Sequence, residues 1–503
     1  MPEGDDRPRW MLHLQAQVWR FLMSIGMTLH RQAPPRPPNP AFTRTVDATV
    51  SPLKGRFRIH FYVPKDYKSQ RKLKGTKRYP CVVNFHGGGF VLGTATDDAR
   101  WIGAVVEQVD AVVVSVDYRL APEYPFPTAV EDGADAILYL AKHAEEFLLD
   151  TERFAVSGFS SGGNMSFTVP LCLQGELLDR TAKGEKIEGS HAGSTPARVK
   201  VEANPGAAVP KVQVEDSTGR SRPQTPQVLQ VEDSAGNGET IVPVVTAQDD
   251  ERSLNISNVP SSTSDGTDVN GNSNPNSNTK DNPHPSTDPD SKSLRPLLPS
   301  RKPSRNPLTR ANSRLDRIAY LRQTGTSSLS LVSSLKDASG PSVSITTPYG
   351  TSLKILGIIS FYPPTDYTQT REQRRQTCVR ADQNLPAVFT RLFDDSYLQP
   401  PSLDLAHPWL SPGRAPREML QVLPDDIVMM CCEWDMLLAE GERFRDRLRG
   451  EVGKNVRFHC VPGVPHGWDK APNPLRESPG AREQYGVACG ELRRMFYGEV
   501  LFR

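Results

Sequence analysis

An apolar run ending at Ser157 passes straight into Gly158-Phe159-Ser160-Ser161-Gly162-Gly163 and then into a second apolar segment. A serine flanked by glycines at −2 and +2, on a tight turn from strand to helix, is the arrangement that exposes a hydroxyl as a nucleophile for acyl transfer. Only Ser160 has glycine at both places, so it is the candidate and Ser161 is not. Alone, the pentad reads equally well as a linker of small residues, and its chemistry depends on partners.

The first partner is upstream, where the strand-like CVVNF ends in His86-Gly87-Gly88-Gly89-Phe90. Consecutive glycines let several backbone N–H groups converge on one small volume, which suits the oxyanion of a tetrahedral intermediate. The expected donors are the amides of Gly88, Gly89 and Ser161. Gly87 completes the run, and His86 reads as a brace for the loop rather than a proton carrier.

Three ordered strings, HGGGF, VDYRLAPEYPFPTAVEDG (116–133) and GFSSGG, resemble the hormone-sensitive-lipase-like family of α/β-hydrolases, the group that includes arylacetamide deacetylase and many microbial carboxylesterases. The resemblance implies a mostly parallel central sheet with helices on both faces and a helical cap. It makes Asp117, Tyr118, Arg119 and Glu123 scaffold. Two departures stand beside the nucleophile: Phe159 where the family has Asp, and Ser161 where it has Ala. Pro170 lies where the following helix should continue, and it is expected to end or kink that helix early.

In this fold the acid and the histidine follow the serine in chain order. The run IVMMCC leads into Glu433-Trp434-Asp435-Met436-Leu437, resembling the family's Asp in the loop after a strand, so Asp435 is the expected acid and Glu433 its competitor. Of ten histidines, His466 follows a late strand in a turn, Pro462-Gly463-Val464-Pro465-His466-Gly467, whereas His459 lies within that strand and reads as a core residue. His466 is the expected general base, Asp435 its orienting partner, and the product an acyl-enzyme cleaved by water. No metal or cofactor is required. The resemblance thus implies a serine hydrolase acting on small-molecule carboxylic esters of short to medium acyl groups. The alternatives are an amide deacetylase, a non-catalytic ligand-binding relative, or an interaction protein whose long loop is the functional part.

Other features set these residues in a frame. Apolar runs at 56–63, 81–85, 111–116, 154–157, 355–361, 427–431 and 456–461 alternate with helical periodicity at 97–108, 128–142, 440–449 and 481–497. That alternation predicts an α/β domain with a mostly parallel sheet. Between 181 and 349 there is no Phe, Trp, Met or Cys, and Ser, Pro, Asn, Asp, Thr and Gly dominate, so this stretch cannot bury enough apolar surface to fold and reads as a disordered low-complexity insertion. The expected layout is a helix within 1–40, the first core part at 41–180, the insertion at 181–349, and the second core part at 350–503 with a cap segment at 365–398. Sixty Lys+Arg against 58 Asp+Glu leave a net charge of +2, which excludes nucleic acid as the default partner.

Seven cysteines, Cys81, Cys172, Cys378, Cys431, Cys432, Cys460 and Cys489, show no CxxC spacing. They argue against a disulfide framework or a zinc site and for a cytoplasmic chain. Cys431 and Cys432 read as packing residues on opposite faces of a strand. Residues 10–29 are apolar but interrupted by His13, Gln15, Gln17 and Arg20, which makes a poor signal peptide and a poor span. They read as a cap helix, with peripheral membrane contact as the competing role. The basic run 71–78 reads as a solvated loop. In the insertion, Ser304 and Ser313 each lie three residues after an arginine, the spacing of a basophilic kinase site, which makes a kinase or a protein partner the expectation for that segment.

Overall fold

The computed structural model describes residues 7–73, 76–182, 344–346 and 351–498. All of them belong to one compact unit, 1–193 with 305–503; a second unit, 194–304, lies outside the described residues. So, apart from its two ends, does the segment expected to be a disordered insertion, together with Ser304 and Ser313.

The described strands are β1 (Phe42–Asp47), β2 (Arg56–Tyr62), β3 (Tyr79–Phe85), β4 (Val112–Asp117), β5 (Leu149–Phe159), β6 (Ser344–Thr346), β7 (Ser352–Phe361), β8 (Asp426–Trp434) and β9 (Asn455–Pro465). They order β1-β2-β4-β3-β5-β7-β8-β9, with β6 pairing antiparallel to β7. β2 runs antiparallel to β1 and β4, and from β4 to β9 all neighbours are parallel. Parallel strands buried on both faces read as continuous apolar runs, which is why these were legible in the sequence. Along β3, β4 and β8, successive side chains alternate between two cores. Val82, Val113 and Val428 join one, while Cys81, Val83, Val114 and Met429 join the other.

The helices are α1 (Arg9–Gln32), α2 (Tyr67–Lys72), α3 (Ala99–Val109), α4 (Thr128–Lys142), α5 (Ser161–Ala182), α6 (Arg371–Thr377), α7 (Ala387–Tyr397), α8 (Arg417–Gln421), α9 (Leu438–Arg447) and α10 (Ala481–Tyr497). Trp101, Ile102 and Val105 of α3 and Tyr485, Ala488 and Leu492 of α10 cover one face of the sheet; α4, α5 and Phe444 of α9 cover the other. The alternation therefore builds the expected α/β-hydrolase architecture, a mostly parallel sheet with helices on both faces.

Three readings need correction. Pro170 does not stop its helix: α5 continues to Ala182 with the proline inside it. Met165, Phe167, Val169, Leu171, Cys172 and Leu173 around it are fully buried, and their combined burial outweighs the roughly 3 kcal/mol of a helix-interior proline. The stretch assigned to the insertion has ordered ends, since Ala182 is helical and β6 pairs with β7. The basic run begins on α2 rather than in a loop, and its Lys77 is held between Asp66 and Asp110 at 2.8 and 2.9 Å.

Helices α1 and α7, from the two segments expected to form a cap, pack against one another. Trp19 of α1 packs edge-on against Phe389 of α7 with centroids 4.5 Å apart, and Arg7 pairs with Asp395. Arg20 ties α1 to the scaffold through Glu123 and the carbonyls of Val91 and Ala121. No described helix is long and apolar enough to cross a membrane.

Candidate active site

In α/β sheets a site gathers at the carboxyl ends of the parallel strands. Here β3 ends at Phe85, β5 at Phe159, β8 at Trp434 and β9 at Pro465, and each candidate residue follows one of these ends. Ser160 stands between β5 and α5 with φ +53°, a left-handed conformation that only surrounding structure can impose on a serine. Its N–H donates to Phe361 O at 2.9 Å, and its carbonyl accepts from Asn164 N at 2.9 Å. The turn is as close as the pentad implies: a Cβ on Gly162 would fall 1.9 Å from Phe85 O.

His466 Nε2 lies 2.9 Å from Ser160 Oγ and His466 Nδ1 2.7 Å from Asp435 Oδ2. With Nδ1–H donating to the buried carboxylate, Nε2 is left to accept the serine proton. Asp435 is itself fixed, accepting from Leu437 N at 3.0 Å. Glu433, the competitor, instead accepts from Gly463 N at 2.7 Å in the turn before His466. His459 is half-buried on the edge strand β9 rather than in a core, and burial lowers its pKa. Cys431 and Cys432 are both buried; Cys432 joins the α3/α10 core while Cys431 faces Gly441 of α9.

The glycine loop lies over the serine. Gly88 has φ +113°, and a Cβ there would meet Leu92 O at 2.3 Å. Among the described residues the amides of Gly88 and Gly89 donate to no protein acceptor. Ser161 opens α5, so its amide adds the positive end of a helix dipole. His86 is fully buried, its Nδ1–H donating to Gly87 O at 2.8 Å and its ring stacked on Tyr118 at 4.2 Å. Tyr118 Oη in turn donates to His86 O at 2.8 Å. Arg119 and Asp132 form a buried bidentate pair behind this loop.

Above Ser160 is a cavity of about 30 Å³, lined among others by Gly89, Tyr367, Phe393, Tyr397 and Leu437. It holds little more than one water. Phe393 of α7 closes it so tightly over the glycine loop that a Cβ on Gly89 would sit 2.4 Å from its ring.

A supporting cluster escaped the sequence reading. Tyr362 has φ +39°, sets its ring edge-on to His466 at 4.7 Å, and donates from Oη to Asp469 Oδ1 at 2.5 Å. Tyr485 also donates to Asp469. Lys470 bridges Asp469 at 2.7 Å and Asp98 at 3.2 Å. Burial alone would lower the lysine's pKa, but the two carboxylates raise it, and the lysine and both tyrosines hold Asp469 low despite its burial, so the pair stays ionised. The only sequence signal was that Asp469 and Lys470 directly follow His466-Gly467-Trp468.

A sequence model of the alpha/beta hydrolase fold family matches residues 82–184 and 328–470, leaving 185–327 unmatched. The chain is 36% identical over 160 residues to esterase LipI of Mycobacterium tuberculosis, covering 31% of this chain and 48% of that one. It is 38% identical over 125 residues to human arylacetamide deacetylase-like 2 (24% and 29%) and 40% identical over 90 residues to human hormone-sensitive lipase (18% and 8%). The chain thus spans at most about half the length of these curated relatives. Among solved structures it is similar to a Pyrobaculum calidifontis esterase, TM-score 0.51 at 18% identity over 97% of both chains, a likeness of fold. The chain has the α/β-hydrolase fold. Its matches to hormone-sensitive lipase and arylacetamide deacetylase-like 2 support a likeness to the hormone-sensitive-lipase-like group.

Proposed function

We propose that this protein is a serine hydrolase that cleaves carboxylic esters of short to medium acyl groups. The observation that carries the reading is the unbroken hydrogen-bond chain from Ser160 Oγ through His466 to Asp435, beneath a glycine loop with free amides. On this reading His466 Nε2 takes the Ser160 proton as the hydroxyl attacks the ester carbonyl. Asp435 orients the imidazole and stabilises its charged form. The carbonyl oxygen, now an oxyanion, accepts from the amides of Gly88, Gly89 and Ser161, and His466 returns the proton to the leaving alcohol. Water activated by His466 then releases the acid from Ser160.

The small cavity over Ser160 supports short acyl groups. Relatives named esterase and carboxylesterase support ester substrates, and one named arylacetamide deacetylase-like 2 makes amides the second reading. The seven free thiols support a reducing compartment such as the cytoplasm. The test is turnover of p-nitrophenyl acetate and butyrate beside p-nitroacetanilide. Ester cleavage that is lost in Ser160→Ala is expected. No turnover of any of the three by folded protein overturns the reading in favour of a non-catalytic binding relative.

A further inference from the structure

Helix α1 has two apolar faces, and the hydrolase domain uses only one. Leu12, Ala16 and Met27 are buried inward, and Trp19 reaches Phe389 of α7. On the other side Trp10, Met11, Leu14, Val18, Phe21, Leu22, Ile25 and Leu29 are all exposed, Trp10 and Phe21 to 65%. At 3.6 residues per turn these eight fall within an arc of about 120° and a length of about 28 Å. Thr28 and Gln32 are the only polar residues on that arc, and the Thr28 hydroxyl is spent on its own helix, donating to Ser24 O at 2.7 Å. Single exposed apolar residues are ordinary; a contiguous uncharged stripe of eight marks an interaction surface.

We propose that this outer face docks on an anionic lipid surface, with α1 lying in the plane of the interface. Three observations favour lipid over protein. The stripe is convex and offers almost no hydrogen-bonding group, whereas a protein interface of this size carries several. Of the six arginines between Arg7 and Val46, a stretch with no acidic residue, Arg7, Arg20 and Arg44 are paired with Asp395, Glu123 and Glu146, which leaves Arg9, Arg31 and Arg36 to complement anionic headgroups. Arg36 lies exposed just after the stripe and Arg9 just before it, Arg9 donating to Pro122 O at 2.7 Å within the field of Glu123, and Arg31 donates to Asn39 Oδ1 at 2.7 Å. The same charge argues against a second copy, because two such helices would meet with no opposite charges to match. Docking stands independently of the hydrolase reading. Its consequence for the candidate site is positional: α1 carries α7, and α7 carries Phe393, so the lid over Ser160 would lie next to the bound surface.

The test is flotation of the full chain with vesicles of phosphatidylcholine alone and of phosphatidylcholine with phosphatidylglycerol. Wild type is expected to float with both and more strongly with the mixed vesicles. Leu14→Gln/Phe21→Gln, which keeps helix propensity, should weaken partitioning at least about tenfold with circular dichroism and melting temperature unchanged. Val18→Gln/Ile25→Gln should do the same and serves if the first pair misfolds. Arg9→Gln/Arg36→Gln should abolish the preference for mixed vesicles. Wild type that floats with neither vesicle, or folded stripe variants that float as well as wild type, would overturn the proposal. So would a dimer by light scattering that the stripe variants dissolve, which would assign the face to a second copy.

Discussion

The ammonium of Lys470 stands 3.6 Å above the ring centroid of Phe159, the residue immediately before Ser160. Phe159 in turn stacks on Phe361 at 4.2 Å. Where the resembled family has an acid, this chain has an aromatic ring under a cation that is held by Asp469 and Asp98. The floor of the nucleophile turn is thus a cation–π contact backed by two carboxylates. Lys470→Met should cost on the order of 3–5 kcal/mol, because it leaves both carboxylates buried without their counter-charge. Thermal melts of this variant beside wild type check it; an unchanged melting temperature would mean that the cluster is not coupled to the fold.

Ser160→Ala should remove nearly all ester turnover, while Ser161→Ala keeps most of it, since Ser161 is assigned a backbone amide and not its hydroxyl. Steady-state rates on p-nitrophenyl acetate distinguish the two. Equal losses in two folded variants would contradict the assignment.

Asp435→Asn should lower kcat by about 10⁴, with Glu433→Gln mild, because only Asp435 bonds the His466 Nδ1 that fixes the tautomer. The ranking of kcat in the two variants is the measurement. The reverse order would move the acid to Glu433.

Phe393→Ala should open the cavity over Ser160 and shift preference toward longer acyl chains. A gain of roughly tenfold in kcat/KM for the hexanoate ester over the acetate is expected, the worth of about one methylene finding new room at about 1–3 kcal/mol. A parallel fall on all chain lengths would show instead that Phe393 supports the glycine loop.

Glu131 of α4 is fully buried, and burial pushes its carboxyl up to about 8 despite the Ser51 hydroxyl beside it. Between about pH 4.5 and that value the folded chain keeps a proton that the unfolded chain has lost, so stability falls as pH rises through this window. Glu131→Gln should remove that penalty, on the order of 3 kcal/mol at pH 7, and raise the melting temperature by about 5 °C there, with no gain below pH 4.5. Melts across that pH range check the sign.

Much of the frame was legible because strands buried on both faces must be apolar along their length, and the glycine-bounded Ser160 and the turn histidine His466 sit at strand ends. β1 was not, since Phe42–Asp47 alternates with Thr and Arg at the sheet edge and shows no apolar run. Pro170 misled because propensity was read without the packing that overrides it. Phe393 and Lys470 belong to the site only through tertiary contact: no spacing in the chain announces that Phe393 will lie on Gly89, or that Lys470 and Asp98 will meet under Phe159.

Neighbouring strands β5 and β7 pair directly, Val156 against Ile358 and Phe159 against Phe361, although the chain between Ala182 and Ser344 separates them in sequence. The candidate nucleophile and glycine loop belong to the part before that separation, and the acid and base to the part after it. Neither part alone contains a site, and what unites them is a sheet contact rather than the continuity of the backbone. On the proposed function, ester turnover therefore reports on the joining of two pieces of chain, and it is expected to survive a cut between them.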